Sequence, residues 1–246
     1  MKVTVIGYWG AYPEANEATS SFLVEEGETK VLLDCGSGAV AKLQNKIELK
    51  ELDAVILSHY HHDHMADLGV LTYSRIVDIN LEKTDRPLQI FAHNYDKEAF
   101  DSLGNDTYTS VIAYNESTPL IIGPLKVSFQ KTAHPVTCYA MKVESQLTNK
   151  VLVYTADTAF EESLIPFAEK ANLLIAETSF YAGQDGRKFG HMTSEEVAKL
   201  ATASQAKSVL LSHLPHFGFH HQLKSEVQRG YSREVNLASS GAIFHL

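Results

Sequence analysis

Ser58-His59-Tyr60-His61-His62-Asp63-His64 packs four imidazoles and one carboxylate into seven residues. Without a cation, such crowding would only repel on protonation, whereas histidine is the commonest metal ligand among side chains. In an extended segment His59 and His61 project to the same side, because the side-chain period is two, and both reach one metal ion. Asp63 and His64 follow where the chain turns and reach a second ion beside the first. The apolar run at residues 53–57 (DAVIL) reads as a buried strand that delivers this loop, and a helical pattern begins near Asp67. A two-metal site needs more ligands than one loop supplies. Three candidates follow other strand-like runs: His134 after residues 127–130, Asp157 after 151–155 and His213 after 209–211. Any one alone is an ordinary turn residue; their shared placement at strand ends, on the same edge as the histidine loop, argues for ligands.

The elements that must position these residues fall into two similar runs. Residues 2–6 read as an edge strand and 7–16 as a loop. Strands 20–25 and 30–34 form a hairpin around Glu26-Gly27-Glu28. Asp34-Cys35-Gly36-Ser37-Gly38 turns, through its glycines, into a helix at 39–45. The strand at 53–57 is followed by a helix carrying Leu68, Leu71 and Ile76, a strand at 88–92 and a helix at 96–103. Residues 105–117 are polar and show no period. After Gly123-Pro124 the pattern restarts, with strands at 125–130, 139–144 and 150–155, a helix at 160–168 and a strand at 173–176. Thr193-Ser194-Glu195-Glu196 is a capping box, and the helix it opens buries Val197, Leu200 and Ala201 at helical spacing. A strand at 208–211, a short helix at 222–228 and a final strand at 242–246 complete the chain. Hairpins come first and αβ units follow, twice. That order predicts an α/β protein of two halves, about 1–124 and 125–246, packed sheet against sheet with helices outside. No linker separates them, so one domain over 1–246 is expected.

The set HYHHDH, His134, Asp157 and His213 resembles that of the metallo-β-lactamase-fold hydrolases, over essentially the whole chain. The resemblance implies a four-layer αβ/βα sandwich with a dinuclear site at one edge. It also implies that His59, His61 and His134 hold one metal, that Asp63, His64 and His213 hold the other, and that Asp157 bridges them. Two cations about 3.5–4 Å apart lower the pKa of a bridging water toward neutrality and make a hydroxide nucleophile. They also clamp substrate oxygens and absorb transition-state charge, while Asp63 is placed to orient the hydroxide. The ligands are all nitrogen or oxygen, which suits two divalent ions, zinc first, with manganese or iron as the other occupants.

Residues 20–23 (SSFL), 33–38 (LDCGSG), 176–180 (AETSF) and 190–193 (GHMT) resemble the ribonuclease Z-like phosphodiesterase branch. By that resemblance His191 lies near the scissile phosphate, oriented by Glu177, and binds a phosphoryl oxygen or protonates the leaving group. Ribonuclease Z proper carries a transfer-RNA-gripping arm between the positions of His134 and Asp157, where this chain has only a short stretch. The best-known zinc lactamases use a cysteine ligand; here Cys35 is expected beneath the site and Cys138 inside a strand. The expected activity is therefore a metal-dependent phosphodiesterase acting on a small phosphodiester such as a cyclic nucleotide. Hydrolysis of a thioester or lactone on the same fold, or of RNA 3′ ends, is the competing chemistry. The complete ligand set argues against a non-hydrolytic role.

The bulk properties agree with a small substrate. The 246 residues suffice for one large core, and 44% are hydrophobic and 21% charged. A net charge of −9 disfavours stable nucleic-acid binding, which needs a basic surface. No stretch reads as a signal peptide or a membrane span. Two cysteines far apart fit a reduced cytoplasmic protein, and family resemblance suggests a homodimer. Of the remaining histidines, His62 is expected to point away from the metals, and His93 and His245 to be structural. His216, His220 and His221 are expected to line a pocket wall, with His216 or His220 open to substrate. Trp9, Tyr12 and Phe180 are candidates for an aromatic rim.

Overall fold

In the computed structural model, which describes residues 1–104 and 107–246, the strands pair into two seven-stranded sheets. The first sheet holds β1 (Lys2–Gly7), β2 (Ser21–Glu26), β3 (Thr29–Leu33), β4 (Ala54–Ile56), β5 (Leu88–Ala92) and β6 (Thr109–Ala113). The second holds β7 (Leu120–Ile122), β8 (Leu125–Lys131), β9 (Tyr139–Ser145), β10 (Val151–Tyr154), β11 (Leu173–Glu177), β12 (Ser208–Ser212) and β13 (Glu234–Leu237). The last strand, β14 (Ile243–His245), returns to the first sheet and pairs with β1. Each sheet starts antiparallel and becomes parallel: at β3–β4 in the first and at β10–β11 in the second. Both therefore bring the carboxyl ends of several strands to one edge, where open α/β sheets place their ligands.

Alternation along the strands builds the layers. In β4, Ala54 and Ile56 face the space between the sheets and Val55 faces outward. Val3, Phe22, Leu33, Val127, Met141, Leu152 and Ile175 fill the space between the sheets. The outer face of the first sheet is covered by α1 (Ala39–Leu43) and α3 (Leu68–Asn80), through Val40, Leu43, Leu68 and Leu71. The outer face of the second is covered by α6 (Ser194–Ala203) and α7 (His220–Gly230), through Val197, Leu200, Leu223 and Val227. Shorter helical turns are α2 (His62–Met65), α4 (Lys97–Asp101) and α5 (Leu164–Phe167). Strands buried on both faces read as continuous apolar runs, as the parallel part of a sheet requires. The architecture is the expected four-layer sandwich. Among the described residues no helix is long and apolar enough to cross a membrane.

Several elements differ from expectation. β1 is not an edge strand, because β14 pairs along its outer side over Lys2, Val3 and Thr4. The polar stretch 105–117 contains β6, where Val111 and Ile112 pair with Ile90 and Phe91; residues 105 and 106 lie outside the described residues. β7 and β13 are strands that the periodicity did not reveal. β7 lies before Gly123-Pro124 yet belongs to the second sheet. The helix expected at 160–168 is only Leu164–Phe167, with Pro166 confined to its first turn, where a missing N–H costs nothing. The helix expected at 222–228 runs the full length of α7. Cys138 lies immediately before β9 rather than inside a strand, and both cysteines are free and buried.

The capping box of α6 forms in both directions: the Thr193 hydroxyl accepts from the Glu196 N–H, and the Glu196 carboxylate accepts from the Thr193 N–H at 2.9 Å. Thr193→Ala should cost about 1 kcal/mol of unfolding free energy, read as a lower urea midpoint at unchanged slope. An unchanged midpoint would mean that the cap adds nothing to this helix.

Candidate metal centre

Asp34, at the end of β3, is the base of the site. It is fully buried, at a φ of 57°, and its carboxylate accepts four hydrogen bonds. Ser58 donates twice, from its N–H to Oδ1 at 2.7 Å and from its hydroxyl to Oδ2 at 2.8 Å. The Tyr154 hydroxyl donates at 2.9 Å from the end of β10, and His64 donates Nδ1–H at 2.7 Å. One buried anion thus ties the first sheet to the second and starts the histidine loop. It also fixes His64 as the tautomer whose Nε2 is free to ligate.

The other histidines are held the same way. The Ser58 hydroxyl, having donated to Asp34, accepts from His59 Nδ1–H at 3.0 Å. His134 donates Nδ1–H to the Gly190 carbonyl at 3.1 Å. Gly190 must be glycine: its φ is 77°, and a Cβ there would sit 2.8 Å from His134 Nδ1. The Ser179 hydroxyl donates to Glu177 at 2.9 Å and accepts from His213 Nδ1–H at 2.9 Å. Each of these imidazoles therefore turns Nε2 toward a common centre. His61 offers Nδ1 instead, 3.0 Å from His59 Nε2 and 3.2 Å from His134 Nε2.

Among the described residues two groups of donors that share a member are tight enough to hold a metal ion, His59, His61, His134 and Asp157, and Asp63, His64, Asp157 and His213, while a third close group, Glu177, His191 and His213, adjoins the second. Asp157 belongs to the first two. Its Oδ1 lies 3.3 Å from His64 Nε2, and its Oδ2 lies 3.3 Å from His213 Nε2 and 3.8 Å from His59 Nε2. A tetrahedral site with Zn–N distances near 2.0–2.1 Å separates neighbouring donors by about 3.3 Å, so the spacing fits. A second observation agrees. His64 Nε2 and Asp157 Oδ1 are buried, face each other, and make no well-formed hydrogen bond. Buried polar atoms are expected to be satisfied, and a cation between these two would satisfy both.

The electrostatics suit ligation. Burial and the neighbouring imidazoles push the His59 pKa well below its ordinary value, and burial lowers those of His61 and His134. These rings are held neutral, the form in which an imidazole can bind a metal. Burial opposes charge on Asp63 and Asp157, but the surrounding histidines outweigh it and keep both carboxyls anionic. His64 is also opposed by burial, yet Asp157 and Asp34 hold its pKa well above normal.

All seven residues expected to hold metal converge. His62 is exposed, as expected. Glu177 and His191 stand beside the second group: His191 donates Nδ1–H to Glu177 Oε1 at 3.1 Å, and its ring lies 5.1 Å from that of His213. Glu177 Oε1 also accepts from the Met192 N–H at 2.8 Å, at the entrance to α6. Burial works against charge on His191, but Glu177 raises its pKa to about 9. Trp9 is buried and forms no rim. Phe180 does border His191, 6.3 Å between rings, and stacks on Phe189, which periodicity had not singled out. The cysteine beneath the site is Cys138, its sulfur 3.5 Å from His59 Nδ1; Cys35 contributes a backbone N–H to the His64 carbonyl. Asp34, Tyr154 and Ser179 were not marked as functional from sequence. The one available signal was an aspartate directly after a strand that precedes the glycines of residues 36 and 38.

The family described as "Anti-Pycsar protein Apyc1" matches residues 1–231. The chain is 47% identical over 244 residues to "Probable metallo-hydrolase YhfI" of Bacillus subtilis, covering 99% of each chain. The crystal structure of that metallo-β-lactamase fold protein superposes with a TM-score of 0.96 at 47% identity, covering 99% of this chain and 98% of the other. A ribonuclease Z of Methanopyrus kandleri is 29% identical over 144 residues, 57% of this chain and 49% of the relative. Human tRNase Z, short form, shares the fold at a TM-score of 0.78 and 18% identity, covering 100% of this chain and 99% of the other.

Asp34→Asn should keep the fold but weaken metal binding about 10–100-fold, the usual cost of losing a carboxylate that orients a ligating histidine. Competition with a chromophoric chelator measures this, with far-UV circular dichroism as the control. Unaltered affinity in a folded variant would remove Asp34 from the account.

Proposed function

The chain belongs to the Apyc1 family of metallo-β-lactamase-fold proteins, and from that premise we propose that it is a dinuclear, zinc-dependent phosphodiesterase acting on a small phosphodiester such as a cyclic nucleotide. The observation that carries this reading is the His191–Glu177 pair at 3.1 Å, set beside the second group of donors. A thiolate leaves without a proton, so thioester hydrolysis needs no such pair; a phosphodiester benefits from a cation at the phosphoryl oxygens and an acid at the leaving oxygen. In this proposal His59, His61, His134 and Asp157 hold one ion, and Asp63, His64, His213 and Asp157 the other. When bound, the two ions supply a water acidified for attack and positive charge against the transition state.

The chain's own residues do the rest. Glu177, buried, fixes the His191 ring through Nδ1 and leaves Nε2 for the substrate. The Glu177 anion keeps that imidazole protonated near neutral pH, so it neutralises a phosphoryl oxygen or gives its proton to the departing alkoxide. A relative named ribonuclease Z, whose substrate is by that name a phosphodiester, supports the reaction class. The span between His134 and Asp157 is taken up by β9, β10 and their turn, which leaves no arm for gripping transfer RNA. With the net charge of −9, this favours a small substrate over RNA.

Bis-p-nitrophenyl phosphate should be turned over by the zinc-loaded protein and spared after chelation. Activity confined to a thioester or a lactone would overturn the assignment. His191→Ala should lower kcat about 100-fold or more with zinc content unchanged; loss of zinc in that variant would make His191 a ligand instead. The pH profile gives a further test. Because Glu177 raises the His191 pKa to about 9, the acid is present below that value and lost above it. Nearby cations oppose the shift, so kcat should fall with rising pH at or below pH 9. Glu177→Gln should move that fall to lower pH, and an unmoved alkaline limb would exclude the pair as the proton source.

A further inference from the structure

The turn at residues 10–12 touches the second group of donors at two points. The Ala11 N–H donates to Asp63 Oδ2 at 2.9 Å. Gly10 lies against His213 so closely that a Cβ there would sit 2.7 Å from the ring's Nδ1 and Cε1. The turn is not relaxed: Ala11 has a φ of 61°, in a region that side chains other than glycine adopt only when their surroundings impose it.

His216 imposes it. Its Nε2–H donates to the Tyr12 carbonyl at 2.7 Å and reaches the Gly10 carbonyl at 3.2 Å. These are the carbonyls on either side of Ala11. The imidazole is itself sandwiched. The Tyr12 ring stacks on it at 3.7 Å between ring centres and 1° between planes, and the buried Trp9 ring stacks on it at 4.7 Å and 18°. Backbone bonds secure the base of the turn, from Gly10 N–H to the Leu214 carbonyl and from Leu214 N–H to the Tyr8 carbonyl. His216 is thus engaged through Nε2–H and through its ring faces.

We propose that His216 is a positioning residue for the second metal ion: it clamps the turn at residues 10–12 so that the Ala11 N–H holds the Asp63 carboxylate in ligating orientation. The proposal rests on the reading that Asp63 and His213 hold a metal, and it adds the device that sets that ion's affinity. The device is selective, because the turn contacts Asp63 and His213 but none of His59, His61 and His134. Loss of the clamp should therefore affect one ion and spare the other.

The test is a zinc titration of the metal-free full-length protein against a chromophoric chelator, with the thermal midpoint of the metal-free protein recorded alongside. The wild type should take up two equivalents. His216→Ala should bind one of them about tenfold more weakly or worse, with the other equivalent and the metal-free midpoint unchanged. His216→Phe keeps a ring for stacking but lacks the N–H, and should behave like His216→Ala toward zinc. Wild-type zinc binding by His216→Phe would overturn the clamp, as would equal weakening of both equivalents together with a lower metal-free midpoint, the mark of a merely structural residue. Uptake of fewer than two equivalents by the wild type would instead bring down the dinuclear reading, and this proposal with it.

Discussion

One buried carboxylate governs the rest of the site. Asp34 accepts from Ser58, Tyr154 and His64 within 2.7–2.9 Å, with no solvent to share the charge. A buried anion is tolerated only when its lone pairs are filled. Filling them requires the end of β3, the start of the histidine loop and the end of β10 to meet at one point. The sheets are joined over much of their area by apolar packing, which sets no register between individual side chains. The Asp34 hydrogen bonds are directional, so they set the position of the histidine loop against the second sheet.

The same economy recurs around the centre. Every imidazole that offers Nε2 is held through Nδ1: His59 by Ser58, His64 by Asp34, His134 by Gly190 and His213 by Ser179. The partners are themselves engaged, Ser58 with Asp34 and Ser179 with Glu177. The donors are thereby preorganised, and little ordering remains to be done when a cation arrives. Glu177 reaches two of the neighbouring histidines: it steadies His213 through Ser179 and raises the pKa of His191 directly.

Much of this was legible in the sequence. His59, His61, Asp63 and His64 announce themselves by spacing, and His134, Asp157 and His213 by standing just after apolar runs. The two-layer sheet arrangement follows from strands such as β4 and β11 that are apolar on both faces. What was not legible has a common cause: it depends on contacts between distant segments. β6 is a short apolar run, Val111-Ile112-Ala113, set in a polar stretch, and it pairs along the edge that β5 offers. β1 looked like an edge strand until β14, from the far end of the chain, covered it. Asp34 and Ser179 have ordinary neighbours in sequence, and their roles appear only when Tyr154 and His213 arrive from other strands. Conversely, Trp9 looked like an exposed aromatic for a substrate but is buried, whereas Tyr12 stays exposed with its ring stacked on His216.

The central claim is that seven side chains from both sheets form two adjoining cation sites that share Asp157. The most direct measurement is anomalous diffraction at the zinc edge from crystals of the zinc-loaded protein. The account predicts two peaks, one ligated by His59, His61 and His134 and one by Asp63, His64 and His213, with the Asp157 carboxylate between them. A single peak, or a pair of peaks without Asp157 in common, would contradict it.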